Sequence, residues 1–96
     1  MDWHKWHTAY GDSATLQARL CLVRIHIAHA LEAVPNLAIR LISVCAGDGR
    51  DVIGTLINHQ RRSHTTAYLI EIDSALVAQG AAALRRCGLI SYVQFL

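Results

Sequence analysis

The chain has 96 residues, 53% hydrophobic and 17% charged, with one proline, six glycines and a formal net charge of +2. That composition excludes a disordered, collagen-like or low-complexity chain, and the length leaves room for one small domain. The longest run free of Asp, Glu, Lys and Arg is eleven residues, Ser74 to Leu84, well short of the roughly 20 that a membrane span needs.

The arginines are scattered, with Arg61-Arg62 and Arg85-Arg86 as the basic pairs. A nucleic-acid-binding domain usually gathers its basic residues on one face, so that class is disfavoured. The opening residues, Met1-Asp2-Trp3-His4-Lys5-Trp6-His7, lack the apolar core and small-residue cleavage site of a signal peptide. The expectation is a cytoplasmic protein whose three cysteines, Cys21, Cys45 and Cys87, are reduced thiols packed as small buried hydrophobes, since they form no CxxC pair.

In chain order, residues 1–13 form a polar and aromatic segment in which Asp12 or Ser13 suits a helix N-cap. Leu16, Leu20, Val23, Ile27 and Leu31 recur at helical spacing and predict a helix over Ala14–Ala33, stopped by Pro35-Asn36. Leu37–Cys45 is short, β-rich and almost continuously apolar, the pattern of a parallel strand buried on both faces with helices on each side. Ala46-Gly47-Asp48-Gly49 reads as a tight turn, and Arg50–His59 returns to helical spacing. After a polar basic loop over Gln60–His64, Thr66–Ile72 predicts a second strand. Asp73 or Ser74 caps an alanine-rich helix to Cys87, Gly88 terminates it, and Leu89–Leu96 predicts a third strand. The order α-β-α-β-α-β indicates an α/β fold with a parallel sheet.

Ligands of open parallel sheets bind beyond the carboxyl ends of the strands. Two clusters fall there: Ser43–Asp51 after the first strand, and Glu71-Ile72-Asp73 after the second. Gly49 and Glu71 are 22 residues apart, close to the spacing between a glycine turn and a ribose-binding acid. Glycines let backbone approach a ligand closely, and a carboxylate accepts hydrogen bonds from both ribose hydroxyls, so a nucleoside-containing cofactor is implied. A dinucleotide fingerprint starting at Gly47 would need glycine where Val52 stands, and no phosphate-binding GxxxxGK[ST] is present.

The run Leu41-Ile42-Ser43-Val44-Cys45-Ala46-Gly47-Asp48-Gly49-Arg50-Asp51, followed by Tyr68-Leu69-Ile70-Glu71-Ile72-Asp73, resembles the first two motifs of class I S-adenosylmethionine-dependent methyltransferases. The opening Asp2–His7 and Tyr10 further resemble an actinobacterial-type branch of such proteins. The resemblance covers nearly the whole chain but only the N-terminal half of the family's three-layer Rossmann-like fold. It implies S-adenosylmethionine as cofactor, with Ala46, Gly47 and Gly49 lining its methionine end through their backbones, Glu71 on the ribose hydroxyls and Asp73 near the ribose or adenine. Two positions depart from the pattern. Ser43 stands where the family has an acid, so it can hydrogen-bond but cannot neutralise the cofactor's ammonium. Cys45 stands where the family has glycine, and its Cβ fits there only at negative φ.

The chain stops at Tyr92-Val93-Gln94-Phe95-Leu96, before the elements that the family uses for adenine and methyl acceptor, so no catalytic residue and no acceptor is assigned. The resulting expectation divides the chain into an aromatic segment, 1–13, and a partial methyltransferase domain, 14–96, truncated and inactive alone. Such a half would carry its third strand as an open hydrophobic edge prone to self-association. The alternative is a non-catalytic α/β interaction protein pairing through that edge; a nicotinamide-binding half-domain is disfavoured by Val52. His4/His7 and His26/His29 share HxxH spacing, but two histidines make half a metal site and no metal is expected.

Overall fold

The structure, a computed structural model, describes residues 14–96. Its elements are α1 (Ala14–Ala33), β1 (Ile39–Val44), α2 (Arg50–Leu56), a single 3-10 turn (Arg62–His64), β2 (Thr65–Ile70), α3 (Ser74–Cys87) and β3 (Val93–Phe95). The strands form one parallel sheet in the order β1-β2-β3, with Ile39 opposite Thr65, Val44 opposite Ile70, and Ala67 opposite Val93. The expected α/β fold with a parallel sheet is present. The suggested cap at Asp12 or Ser13, the histidines His4 and His7, and the aromatic segment all lie outside the described residues.

One core joins Leu31 of α1, Val52, Ile53 and Leu56 of α2, and Leu84 of α3 to Ile39, Ala67, Leu69 and Val93 of the sheet. All three helices therefore lie on the same face. The opposite face, carrying Arg40, Ile42 and Val44 of β1 with Thr66 and Ile70 of β2, is exposed; Ile42 and Val44 are 67% and 68% accessible. The described residues thus fill two layers, not a sheet with helices on each side. The apolar run Leu37–Cys45 has the composition of a strand buried twice, but within the described residues only alternate positions are covered.

Several boundaries shift for local reasons. The third strand begins at Val93 because Leu89–Tyr92 closes the end of α3 instead: the Leu89 amide donates to Leu84 O at 3.0 Å, and the Tyr92 and Val93 amides both donate to Leu89 O. That leaves β3 only three residues long, so the longer free sheet edge belongs to β1. The Gly88 terminator is as expected, at φ 71°. The cysteines are not buried: Cys21 and Cys45 are exposed and Cys87 is half-buried.

α2 stops at Leu56 because the chain tightens into a turn, where the His59 amide donates to Leu56 O at 3.1 Å and His59 Nδ1 accepts the Arg61 amide hydrogen at 3.0 Å. This turn aims the Arg61 guanidinium at the end of α1. Its Nη1 donates to Leu31 O and Val34 O and its Nη2 to Asn36 O, each at 2.6 Å. The last turn of α1 contains no basic residue of its own, so Arg61 supplies both the missing hydrogen bonds and the positive charge that a helix C-terminus favours. Replacing Arg61 with Ala should lower unfolding free energy by about 2 kcal/mol in urea titrations, since three carbonyls lose a charged donor. Arg61→Lys should recover only part of it, because an ammonium cannot reproduce the planar fork.

Candidate functional site

The carboxyl ends of β1 and β2 bring the two sequence clusters together. Residues 45–49 form a turn with three left-handed positions: Cys45 at φ 55°, Gly47 at 63° and Gly49 at 78°. The two glycines adopt this region without steric penalty. Cys45 does not, which corrects the expectation of negative φ there. Its conformation is imposed by the next residue, because the Ala46 amide donates to Ile70 O at 3.0 Å and ties the chain to β2 two residues past the strand.

Glu71 fastens the turn to the end of β2. Its Oε1 accepts the Gly47 amide hydrogen at 2.8 Å and its Oε2 accepts that of Asp73 at 3.0 Å. A carboxylate offers about four lone-pair positions, so these two bonds leave acceptor capacity on each oxygen for a pair of hydroxyls. Glu71 is half-buried and stands at the mouth of the turn. Asp73 is the N-cap of α3, its Oδ1 accepting from the Ala75 and Leu76 amides at 3.0 and 3.3 Å. Asp48 forms an ion pair with Arg50 at 2.7 Å and accepts the Arg50 amide at 3.1 Å. Asp51 accepts the Val52 amide at 2.8 Å, a first-turn carboxylate of α2.

The turn's amides are largely engaged inside the protein. Ala46 donates to Ile70 O, Gly47 to Glu71, Gly49 to Ala46 O and Arg50 to Asp48. A pyrophosphate site presents such N–H groups outward to the ligand. Here the carboxylates beside the turn, Asp48, Glu71 and Asp73, are half-buried and each accepts hydrogen bonds from the protein.

Of the sequence-predicted site residues, Ala46, Gly47, Gly49, Glu71 and Asp73 converge on this turn. Ser43 is half-buried on the helix side of β1, lining a cleft with Asp51 and Val52, and Cys45 is exposed at the start of the turn. Two residues beside the turn, Gly80 and Phe95, were not predicted, while Ile72 belongs to the predicted Glu71-Ile72-Asp73 cluster. Ile72, between Glu71 and Asp73, is 98% exposed. Gly80 of α3 lets that helix approach the turn: a Cβ there would lie 2.6 Å from Asp48 O and collide with the Phe95 ring. Phe95 also reaches under the turn, 3.4 Å from where a Gly49 Cβ would stand. The one sequence signal for this contact is an isolated glycine within an alanine-rich helix.

Neither a protein-family model nor a curated protein matches the sequence. Two solved structures share its fold. One is a SAM-dependent methyltransferase from Geobacter sulfurreducens in complex with S-adenosyl-L-homocysteine, with TM-score 0.60 and 18% identity, covering 77% of this chain and 27% of that one. The fold is shared with a methyltransferase. The other is YjhP from Escherichia coli, with TM-score 0.60 and 19% identity over 77% of this chain and 28% of that one. The chain therefore spans little more than a quarter of the length of the structures it resembles.

Two outcomes follow from the turn's packing. Cys45→Gly should raise stability by about 1 kcal/mol in chemical denaturation, by relieving a left-handed non-glycine residue. Gly80→Ala should lower it by about 1–3 kcal/mol through overpacking against Asp48 O and Phe95, and should shift the Gly47 and Gly49 amide resonances.

Proposed function

We propose that this chain is the S-adenosylmethionine-binding part of a methyltransferase. The observation that carries the reading is the Glu71 carboxylate held 2.8 Å from the Gly47 amide, which sets the acid of the second strand at the mouth of the glycine turn. In this reading the backbone of Ala46, Gly47 and Gly49 lines the methionine end, and the remaining lone pairs of Glu71 accept the ribose hydroxyls. The exposed face of Ile72, one residue on, offers an apolar surface to the base, and Asp73 stands nearby. The cofactor supplies an electrophilic methyl group; the protein's part is to orient it, which is the main source of rate in methyl transfer.

The internal use of the turn amides favours this cofactor over a nicotinamide dinucleotide, whose pyrophosphate would require them. Ser43 cannot neutralise an ammonium, so affinity rests more heavily on Glu71. The aromatic opening at Trp3, Trp6, His7 and Tyr10 supports placing the chain in the actinobacterial-type branch. No described residue is assigned to a methyl acceptor, and transfer itself is proposed to need elements beyond this chain, consistent with its spanning about a quarter of the neighbouring structures.

Calorimetry with S-adenosylhomocysteine tests the reading. Binding is expected, and Glu71→Gln should weaken it at least about tenfold, the order of one lost charged hydrogen bond. Its amide oxygen still accepts the Gly47 amide while the Asp73 amide loses its acceptor, a local change that should leave circular dichroism unchanged. Absence of heat at millimolar ligand, or equal competition by NAD, overturns the proposal.

A further inference from the structure

We propose that Arg24 of α1 is a positioning residue for the glycine turn, acting through Arg50 and Asp48, so that the seating of α1 sets the affinity of the ligand site. The identity of the ligand rests on the function proposed above; the holding of the turn does not.

The contacts run from helix to turn without a break. The half-buried Arg24 donates to Arg50 O from Nε at 3.0 Å and from Nη2 at 2.6 Å. Arg50 is the first residue of α2, and it grips Asp48 twice. Its amide donates to Asp48 Oδ1 at 3.1 Å, and its guanidinium donates from Nε to Oδ1 at 3.1 Å and from Nη2 to Oδ2 at 2.7 Å. Asp48 lies between Gly47 and Gly49, two of the left-handed positions of the turn. Gly49 is the N-cap of α2 and has no side chain with which to cap it, so Asp48 satisfies the first amide of the helix instead.

Two features of α2 disfavour the helix by itself and are explained by this contact. Gly54 stands inside the helix, where alanine would be more stable. A Cβ at that position would overlap the Arg24 guanidinium, so the glycine makes the seat in which Arg24 lies. The guanidinium also brings positive charge to the N-terminal turn, the end at which the helix dipole favours negative charge. Holding α1 to α2 requires neither feature, since one apolar core already joins the two helices. What Arg24 adds is a fixed place for the peptide that leads out of the turn.

Calorimetry with S-adenosylhomocysteine on the 96-residue chain, combined with the Gly47 and Gly49 amide resonances of the ligand-free protein, is the test. Arg24→Ala should weaken binding about fivefold or more, the low end of couplings between separate sites, and should shift both resonances. Arg24→Lys should recover part of each effect, because an ammonium can still donate to Arg50 O. Gly54→Ala evicts the same guanidinium without altering Arg24; it should reproduce both effects and add little to them in the Arg24→Ala background. Arg61→Ala frees the other end of α1 and should leave affinity and both resonances as in wild type, which separates positioning from a loosened helix. An Arg24→Ala protein with wild-type affinity or wild-type turn resonances overturns the proposal. So do effects of Arg24→Ala and Gly54→Ala that simply add, or an Arg61→Ala protein that binds as weakly as Arg24→Ala. If the wild type takes up no S-adenosylhomocysteine, the function proposed above falls, while the turn resonances still decide whether Arg24 positions the turn.

Discussion

The handedness of two chain crossovers governs the architecture. From β1 through α2 to β2, and from β2 through α3 to β3, the chain steps twice in the same direction along a parallel sheet. Right-handed crossovers that keep one direction put their helices on one face. α1 joins that face through Leu31 and its packing on α2. The consequences are linked: a core on one side, bare Ile42 and Val44 on the other, and β1 left as an edge. The glycine turn at the end of β1 therefore stands beside the position where a parallel sheet would reverse direction, the place where such folds keep their binding sites.

Within that frame Glu71 ties the site together. One carboxylate accepts an amide from each of two loops, so the relative position of the glycine turn and the end of β2 is set before any ligand arrives. Gly80 and Phe95 support the turn from below, through contacts that tolerate no added methyl group. The same carboxylate is thus a brace, and its oxygens have more acceptor positions than these two bonds fill.

Much of this was readable in the residues. α1 spans the predicted Ala14–Ala33, and Asp73 and Gly88 bound α3 as their side-chain chemistry and backbone freedom require. The turn-plus-acid spacing pointed to two segments that the fold brings together, Gly47 with Glu71, because a glycine turn and a strand-end carboxylate leave local signals. What was not readable depends on contacts distant in sequence. An apolar strand looks the same whether its second face is covered by this chain or lies bare. The left-handed Cys45 follows from a hydrogen bond to β2, against the preference of its own side chain. Gly80 matters only because α3 meets Asp48, and Leu89–Tyr92 has strand-like residues that the end of α3 claims for its own closure.

The Arg61 contact with the end of α1 has a meaning for the order in which the molecule forms. Leu31, Val34 and Asn36 wait for a residue 25 to 30 positions further on. As the chain emerges from the ribosome, α1 is complete in sequence long before its last carbonyls can be satisfied, and until then that end frays. The first helix is therefore a late recruit: β1, α2 and the loop at Arg61 must be in hand before it can be fixed. Its core residues Leu20 and Leu31 remain uncovered through that interval, which is when a nascent chain of this kind is most exposed to chaperones.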